Sequence, residues 1–205
     1  MSLRLVFATI FFSLVVFPIT GADTPVAGQP ADAFQVGYAI NLGIGDSFVD
    51  ILNAGTEGVD TVFGRKGNIC VNVYTFDLSP QMVTCCSCLY LPDQLSSLSV
   101  RSDLVGNPLT PTLPNSIAIK LLASLPVGGK CNATSPSGGS DLAQGMTVWG
   151  NTLHAAPSGA ALTTVPFLQK VLSTSELTRL TAQCGFIQAN GSGFGICRCK
   201  ATGPF

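Results

Sequence analysis

The stretch Ile69-Cys70-Val71-Asn72-Val73-Tyr74-Thr75-Phe76 is rich in β-branched and aromatic residues and contains no charged side chain. This composition favours a β-strand that is covered on both faces, and we expect it to lie in the interior of a sheet. Asp77-Leu78-Ser79-Pro80 follows with typical turn residues, and Met82–Leu91 then returns as a second apolar run. The two runs therefore predict an antiparallel pair of strands.

Further runs with strand character lie on both sides of this pair. Their apolar residues alternate with small or polar residues, and Gly, Pro and Asn separate them. The predicted strands are Phe34–Ile40, Ser47–Asn53, Leu95–Leu98, Ile117–Leu125 and Met146–Ala155. The segment Pro157–Pro166 looks loop-like, although it retains some alternation. Many short strands with frequent turns predict a mainly β protein, an antiparallel β-sandwich.

One helix is predicted near the C-terminus. Ser173-Thr174-Ser175-Glu176 matches a capping box, with Ser173 as the N-cap and Leu177, Leu180 and Cys184 on one face. Gly185 suits the end of this short helix. Residues 184–189 and 194–199 then flank Asn190-Gly191-Ser192-Gly193, which predicts a C-terminal β-hairpin.

Eight cysteines follow the N-terminal apolar segment, and their even number in an exported chain predicts disulfide bonds. The candidates are Cys70, Cys85, Cys86, Cys88, Cys131, Cys184, Cys197 and Cys199. Neighbouring residues of a strand point to opposite faces, so Cys85 and Cys86 are expected to bond to different partners. In the predicted hairpin, Cys184 lies opposite either Cys197 or Cys199, depending on the length of the turn.

The remaining C-terminal cysteine would then reach Cys131 or the group at 85–88. A thiolate metal site is the alternative, in which residues 85–88 and 197–199 converge on a soft ion such as Zn(II) or Cu(I). Neither group has the usual spacing of structural zinc ligands, so disulfides are the favoured interpretation and we expect no metal and no cofactor.

The N-terminus has the pattern of a secretory signal. Arg4 supplies a positive charge, Leu5–Ile19 is an apolar run of about 15 residues, and Thr20-Gly21-Ala22 offers small residues for cleavage. We therefore expect residues 1–22 to be a signal peptide, 23–33 a flexible lead-in, and 34–205 a single disulfide-stabilised β domain. Because of this signal, the mature chain is expected outside the cytoplasm, in the periplasm, on the cell surface or in the medium. No later run is long enough to span a membrane.

Composition excludes several classes of protein. Hydrophobic residues make up 46% of the 205 residues and charged residues only 10%, which rules out intrinsic disorder and a coiled coil. The formal net charge is −1 and there is no basic run, so nucleic acid is not an expected partner.

His154 is the only histidine, so any Ser–His–Asp or Cys–His mechanism would need it. It lies beside no recognisable nucleophile motif, and a half-buried structural role at the end of a strand is the simpler interpretation. Pairs of carboxylates are a second route to hydrolysis or to calcium binding. The candidates for hydrolysis are Asp46, Asp50, Glu57, Asp60 and Asp77, most of which fall in predicted turns. The first four of these are also the candidates for calcium binding.

Several motifs together resemble a family of uncharacterised exported bacterial proteins. They are Gly67–Tyr74 (with ICVNVY), Cys85–Cys88 (CCSC), Leu121–Ser124, Trp149–Ala155 and Cys184–Cys197 (with FIQANGSGFGIC). The resemblance spans nearly all of the mature chain and implies secretion and a bacterial source, with no catalytic or binding residues to carry over. We therefore expect a secreted structural or interaction module of the cell envelope or extracellular space, not an enzyme, that binds a surface, a glycan or a protein. The alternatives are a thiolate metal-binding protein and a hydrolase that uses His154.

Overall fold

The computed structural model describes residues 23–57, 67–136, 141–157 and 159–199. The predicted signal peptide and Asp60 lie outside these ranges. No helix within them is long and apolar enough to cross a membrane.

Nine strands within the described residues form two antiparallel sheets, which confirms the predicted mainly β fold. The strands are β1 (Phe34–Ala39), β2 (Phe48–Asn53), β3 (Ile69–Phe76), β4 (Met82–Tyr90), β5 (Leu95–Ser99), β6 (Ile117–Ser124), β7 (Met146–Ala156), β8 (Gly159–Pro166) and β9 (Leu168–Gln169). One sheet has the order β4-β3-β6-β1-β9 and the other β5-β2-β7-β8. A π-helical turn (Val100–Leu104) follows β5, and helix α1 (Thr174–Asn190) follows β9.

Strand β3 is buried at every position, as its sequence predicts. Val71 and Val73 contribute to the core between the two sheets. Tyr74 and Phe76 contribute to a second core on the opposite face of the same sheet. Because successive side chains of a strand alternate between faces, a strand that is apolar at nearly every position can serve two cores at once.

Helix α1 covers the second core. Leu180, Cys184 and Ile187 are its buried residues, and they pack in the same cluster as Tyr74 and other side chains from the outer face of the five-stranded sheet. The helix begins as predicted, since the Ser173 hydroxyl accepts a hydrogen bond from the Glu176 N–H at 3.2 Å. The described part of the domain therefore has three layers, namely two sheets and one helix.

The predicted C-terminal hairpin is wrong, because helix α1 continues through residues 184–190 and ends at Gly191. Leu180, Cys184 and Ile187 follow a spacing of four and three residues, which gives the helix a continuous buried face. Burial of that face outweighs the local turn preference of Asn190-Gly191, which marks the end of the helix instead. Gly185 remains within the helix, where it costs about 1 kcal/mol relative to alanine.

All eight cysteines form disulfides, and the bonds are Cys70–Cys131, Cys85–Cys184, Cys86–Cys197 and Cys88–Cys199. The prediction that Cys184 bonds to Cys197 or Cys199 is therefore wrong, since no hairpin brings those residues together. The expectation that Cys85 and Cys86 have different partners is confirmed. Their side chains leave β4 on opposite faces, one toward helix α1 and one toward the core between the sheets.

Two further segments differ from their expectations. Residues 23–33, for which the sequence predicts a flexible lead-in, lie against the domain: Val26 is buried and its N–H donates to the Leu172 carbonyl at 2.8 Å. Most of the segment 157–166, which looked loop-like, forms β8. This strand pairs along eight residues with β7, although each of its own residues is exposed. Pairing with a neighbouring strand therefore holds β8 in place, without burial.

Removal of two disulfides should have unequal effects. In an unfolded chain that still contains Cys86–Cys197, the bond Cys85–Cys184 closes a loop of about 15 residues, and Cys88–Cys199 closes a loop of roughly 4–6. Loops of these lengths correspond to stabilisation of the folded protein by about 3 and about 2 kcal/mol. The double variant Cys85→Ala/Cys184→Ala is therefore expected to lose more free energy of unfolding in urea than Cys88→Ala/Cys199→Ala, which serves as its control. An equal loss, or a larger loss in the control, would contradict the assigned pairing.

Glu176 should make the stability depend on pH. Burial raises its pKa, but hydrogen bonds from Arg179 and Lys120 lower it by more, so the pKa lies below the ordinary value. A lowered pKa in the folded state stabilises the protein above about pH 4.3, and this contribution is lost as the pH falls through the folded-state value.

We expect Glu176→Gln to be less stable than the wild type at pH 6, by about 1 kcal/mol, and the difference to shrink at pH 3. Urea unfolding at both pH values measures this. Lys120→Met removes one partner of the carboxylate and should show a smaller pH-dependent loss. A difference between Glu176→Gln and wild type that stays constant with pH would show that the ion pair is not the cause.

Candidate functional site

A cleft opens at one side of the sandwich, between the end of β1 and the hairpin of β7 and β8. Its volume is about 320 Å³, which is within the usual range for small-ligand sites. The lining residues come from β1 and the residue that follows it, and from β7, β8, Phe167 and β9. They are Val36, Gly37, Tyr38, Ile40, Gly150, Thr152, His154, Thr163, Val165, Pro166, Phe167 and Leu168.

The cleft exists because β9 is short. It pairs with β1 only at Gln35 and Val36, so the rest of β1 has no strand on that side among the described residues. The chain crosses from one sheet to the other at Phe167, whose N–H donates to the Val148 carbonyl at 3.0 Å. This crossing places Phe167 between the two sheets at the cleft.

Phe167 forms the closed end of the cleft, and two glycines make room for its ring. A Cβ atom at Gly37 would lie 2.4 Å from the ring and one at Gly150 would lie 3.1 Å from it. The ring is therefore held between β1 of one sheet and β7 of the other. Glycine within a strand often marks such a close approach of a neighbouring group.

The cleft has no formally charged side chain in its lining, but it has several groups that can form hydrogen bonds. These are the Tyr38, Thr152 and Thr163 hydroxyls and the His154 imidazole. None of the four side chains forms a hydrogen bond with another residue of the described ranges. Apolar walls with a few polar groups that lack protein partners are typical of sites for uncharged, largely apolar ligands.

His154 is half-buried on β7, opposite Ala161 of β8, and it lines the cleft. Its imidazole makes no hydrogen bond or ion pair with a serine, cysteine or carboxylate within the described residues. General-base catalysis requires a proton donor within hydrogen-bond reach, so the hydrolase hypothesis gains no nucleophile from this arrangement. The histidine instead offers the cleft a polar atom.

The candidate carboxylates do not converge on the cleft. Asp77 organises a turn by accepting from the Ser79 N–H at 2.8 Å, and Asp46 accepts from the Arg101 N–H at 3.0 Å. Asp50 accepts from the Asn151 amide, and Glu57 from the Gln144 N–H at 2.7 Å. These bonds account for the described carboxylates as structural acceptors in turns and between strands.

The cysteine groups of the proposed metal site do come together. The Sγ atoms of Cys86, Cys88 and Cys199 lie within 4.8 Å of one another. Each of these atoms is bonded to another sulfur, so none is available as a thiolate. Because thiolates are the ligands that the metal hypothesis requires, the observed arrangement gives it no donor set.

The fold defines the chain as a disulfide-stapled antiparallel β-sandwich with a helix on one outer face. Comparisons with protein-family models, with curated proteins and with solved structures found no match. The site therefore has to be interpreted from its own residues. Of these residues, the sequence indicates only His154 as a functional candidate. Gly37 and Gly150, as glycines inside predicted strands, are its signal for a close contact.

Substitution of Gly37 tests the packing of Phe167. Gly37→Ala should displace the ring and cost about 1–3 kcal/mol of unfolding free energy, because overpacking forces neighbouring groups to move. In the double variant Gly37→Ala/Phe167→Leu the smaller side chain leaves room for the new methyl group. We therefore expect the two costs to be clearly less than additive in urea unfolding, and additive costs would show that the two residues are not in contact.

Proposed function

We propose that the protein is a secreted, non-catalytic binding module, and that its cleft between β1 and the β7–β8 hairpin holds an uncharged, largely apolar ligand. The observation that carries this proposal is the lining of the cleft. It contains no formal charge, and it presents four polar side chains that lack a partner in the described residues. Such a lining favours apolar contact together with a few directional hydrogen bonds.

Location outside the cytoplasm is the second part of the proposal. Four disulfides are typical of proteins from oxidising compartments, where they persist. The N-terminal pattern of a signal peptide and the resemblance to exported bacterial proteins support the same location. A module that works outside the cell must retain its shape without chaperones, and cross-links that restrict the unfolded chain serve this need.

Apolar side chains at the opening of the cleft are consistent with this role. Tyr38, Leu168 and Val165 are 57%, 60% and 43% exposed, so apolar side chains around the opening are left in contact with water. Exposed apolar groups around a concave site are a common mark of binding surfaces. Their burial by a ligand would supply the main free energy of association.

A fluorescent probe tests the proposal. N-Phenyl-1-naphthylamine is uncharged and apolar, and its emission rises when it leaves water. We expect it to bind the wild-type protein with a dissociation constant of about 10 μM, and to bind Thr163→Trp at least about tenfold more weakly, because the indole fills the cleft.

Thr147→Trp is the matched control. Thr147 is an exposed threonine on β7, on the opposite face of the same sheet, and its substitution should leave probe binding within about twofold of wild type. Both variants should keep the wild-type circular dichroism spectrum. Failure of the probe to bind, or equal binding by Thr163→Trp and wild type, would refute the proposed use of the cleft.

A further inference from the structure

We propose that the natural ligand of the cleft is an extended, uncharged peptide segment of a partner protein, which adds as a strand to the open edge of β1. This inference rests on the proposed function and names its ligand class. The open edge is defined here as Gly37–Ala39, the part of β1 that pairs with β6 but lies beyond the last pair with β9.

The backbone of the open edge has hydrogen-bonding groups directed into the cleft. In an antiparallel sheet, alternate residues direct both their N–H and their C=O toward the same neighbouring strand. The Phe34 carbonyl accepts from the Lys170 N–H at 2.9 Å, so Phe34 faces the β9 side. Val36 and Tyr38 follow at intervals of two and face the same side. Tyr38 therefore presents an N–H and a C=O where β9 no longer provides partners.

The position next to the open edge is where a strand would continue the sheet. Leu168 of β9 lies opposite Val36, and the next position along β1 has no counterpart because the chain turns away at Phe167. The cleft occupies this place, with Gly37 and Tyr38 on one side and Thr163 and Val165 of β8 on the other. A segment that pairs with β1 would therefore place alternate side chains against β8.

Strand β8 forms the opposite wall of the cleft and has an edge of its own. It is an edge strand of eight residues, each of which is exposed, and none of them is charged. Proteins usually protect such edges with lysines, with bulges or by covering them. Among the described residues β8 has none of these devices except Pro166 at its end. The β8 edge is therefore a second place where a strand could add, and peptide binding that backbone methylation weakens but Tyr38→Pro does not would assign the peptide to β8 and overturn its assignment to β1.

The absence of charged side chains from the lining restricts which peptide segments can bind. A lysine, arginine, aspartate or glutamate carried into the cleft would lose its hydration without a countercharge in the lining, which is costly. The segment that fits best is therefore neutral, with apolar side chains alternating with small polar ones. This pattern places the apolar residues against Val165 of β8, and the polar ones toward solvent.

The test uses three heptapeptides with blocked ends, in which threonine alternates with valine, leucine or phenylalanine. We expect at least one to bind the full-length protein in isothermal titration calorimetry below about 1 mM, and to displace N-phenyl-1-naphthylamine. The matched control is the same peptide with the alternate backbone nitrogens that face β1 methylated. It keeps every side chain but cannot form the ladder, and we expect at least about tenfold weaker binding.

Two variants of Tyr38 test the hydrogen bond between its backbone N–H and the peptide. Tyr38→Pro removes the N–H that faces the cleft and should weaken peptide binding about five- to tenfold, whereas Tyr38→Ala keeps the N–H and removes only the side chain. Tyr38→Ala should therefore bind the peptide more tightly than Tyr38→Pro. Urea unfolding establishes that both variants are folded, and the methylated peptide tests the proposal on the wild type if Tyr38→Pro is not.

The possible results are distinct. Strong peptide binding that both methylation and Tyr38→Pro weaken supports strand addition to β1. Equal binding of the parent and methylated peptides, or no binding by any of the three at about 1 mM, overturns strand addition. Binding of the probe in the same experiment would show that the proposed function survives. Dimerisation of the protein that Thr163→Trp abolishes would identify a second copy as the occupant and overturn the assignment to a partner protein.

Discussion

Strand β4 carries the constraint on which the rest of the structure depends, because Cys85 and Cys86 are adjacent and must point to opposite faces of the sheet. The first bonds to Cys184 of helix α1 and the second to Cys197 of the C-terminal segment. One strand therefore joins the helix layer, the five-stranded sheet and the end of the chain. The backbone adds to these covalent links, since the Cys85 N–H donates to the Gly195 carbonyl at 2.8 Å.

The disulfides cross-link one edge of the sandwich, whereas only non-covalent contacts hold the other edge. Every disulfide includes a residue of β3 or β4, which lie on one side of the sheet, whereas β1 and β9 lie on the other. The cleft is on that second side, and its walls are held by strand pairing and by the packing of Phe167. A rigid scaffold on one side can therefore support an open site on the other without loss of the fold.

Sequence patterns predicted most of the strands, because alternation and β-branched composition report directly on a surface that is half-buried or fully buried. They failed at β8, whose residues are all exposed and whose order comes from pairing with β7. The capping box located the start of helix α1 at Ser173, since a cap is a local arrangement of neighbouring residues. The end of the helix depended on burial against Tyr74 and its neighbours, which no local pattern contains. The cleft likewise depends on a short β9 and on the crossing at Phe167.

The sequence by itself determined the class of fold, the number of cysteines available for cross-linking and the absence of charge in the segments that line the cleft. These properties depend on residue type and on spacing over a few residues. Only the tertiary structure decided which cysteines bond, because Cys85 and Cys184 are 99 residues apart and meet through the packing of a helix on a sheet. It also decided that Tyr38, His154 and Thr163 border one cleft, since residues distant in sequence become neighbours only when two sheets pack face to face.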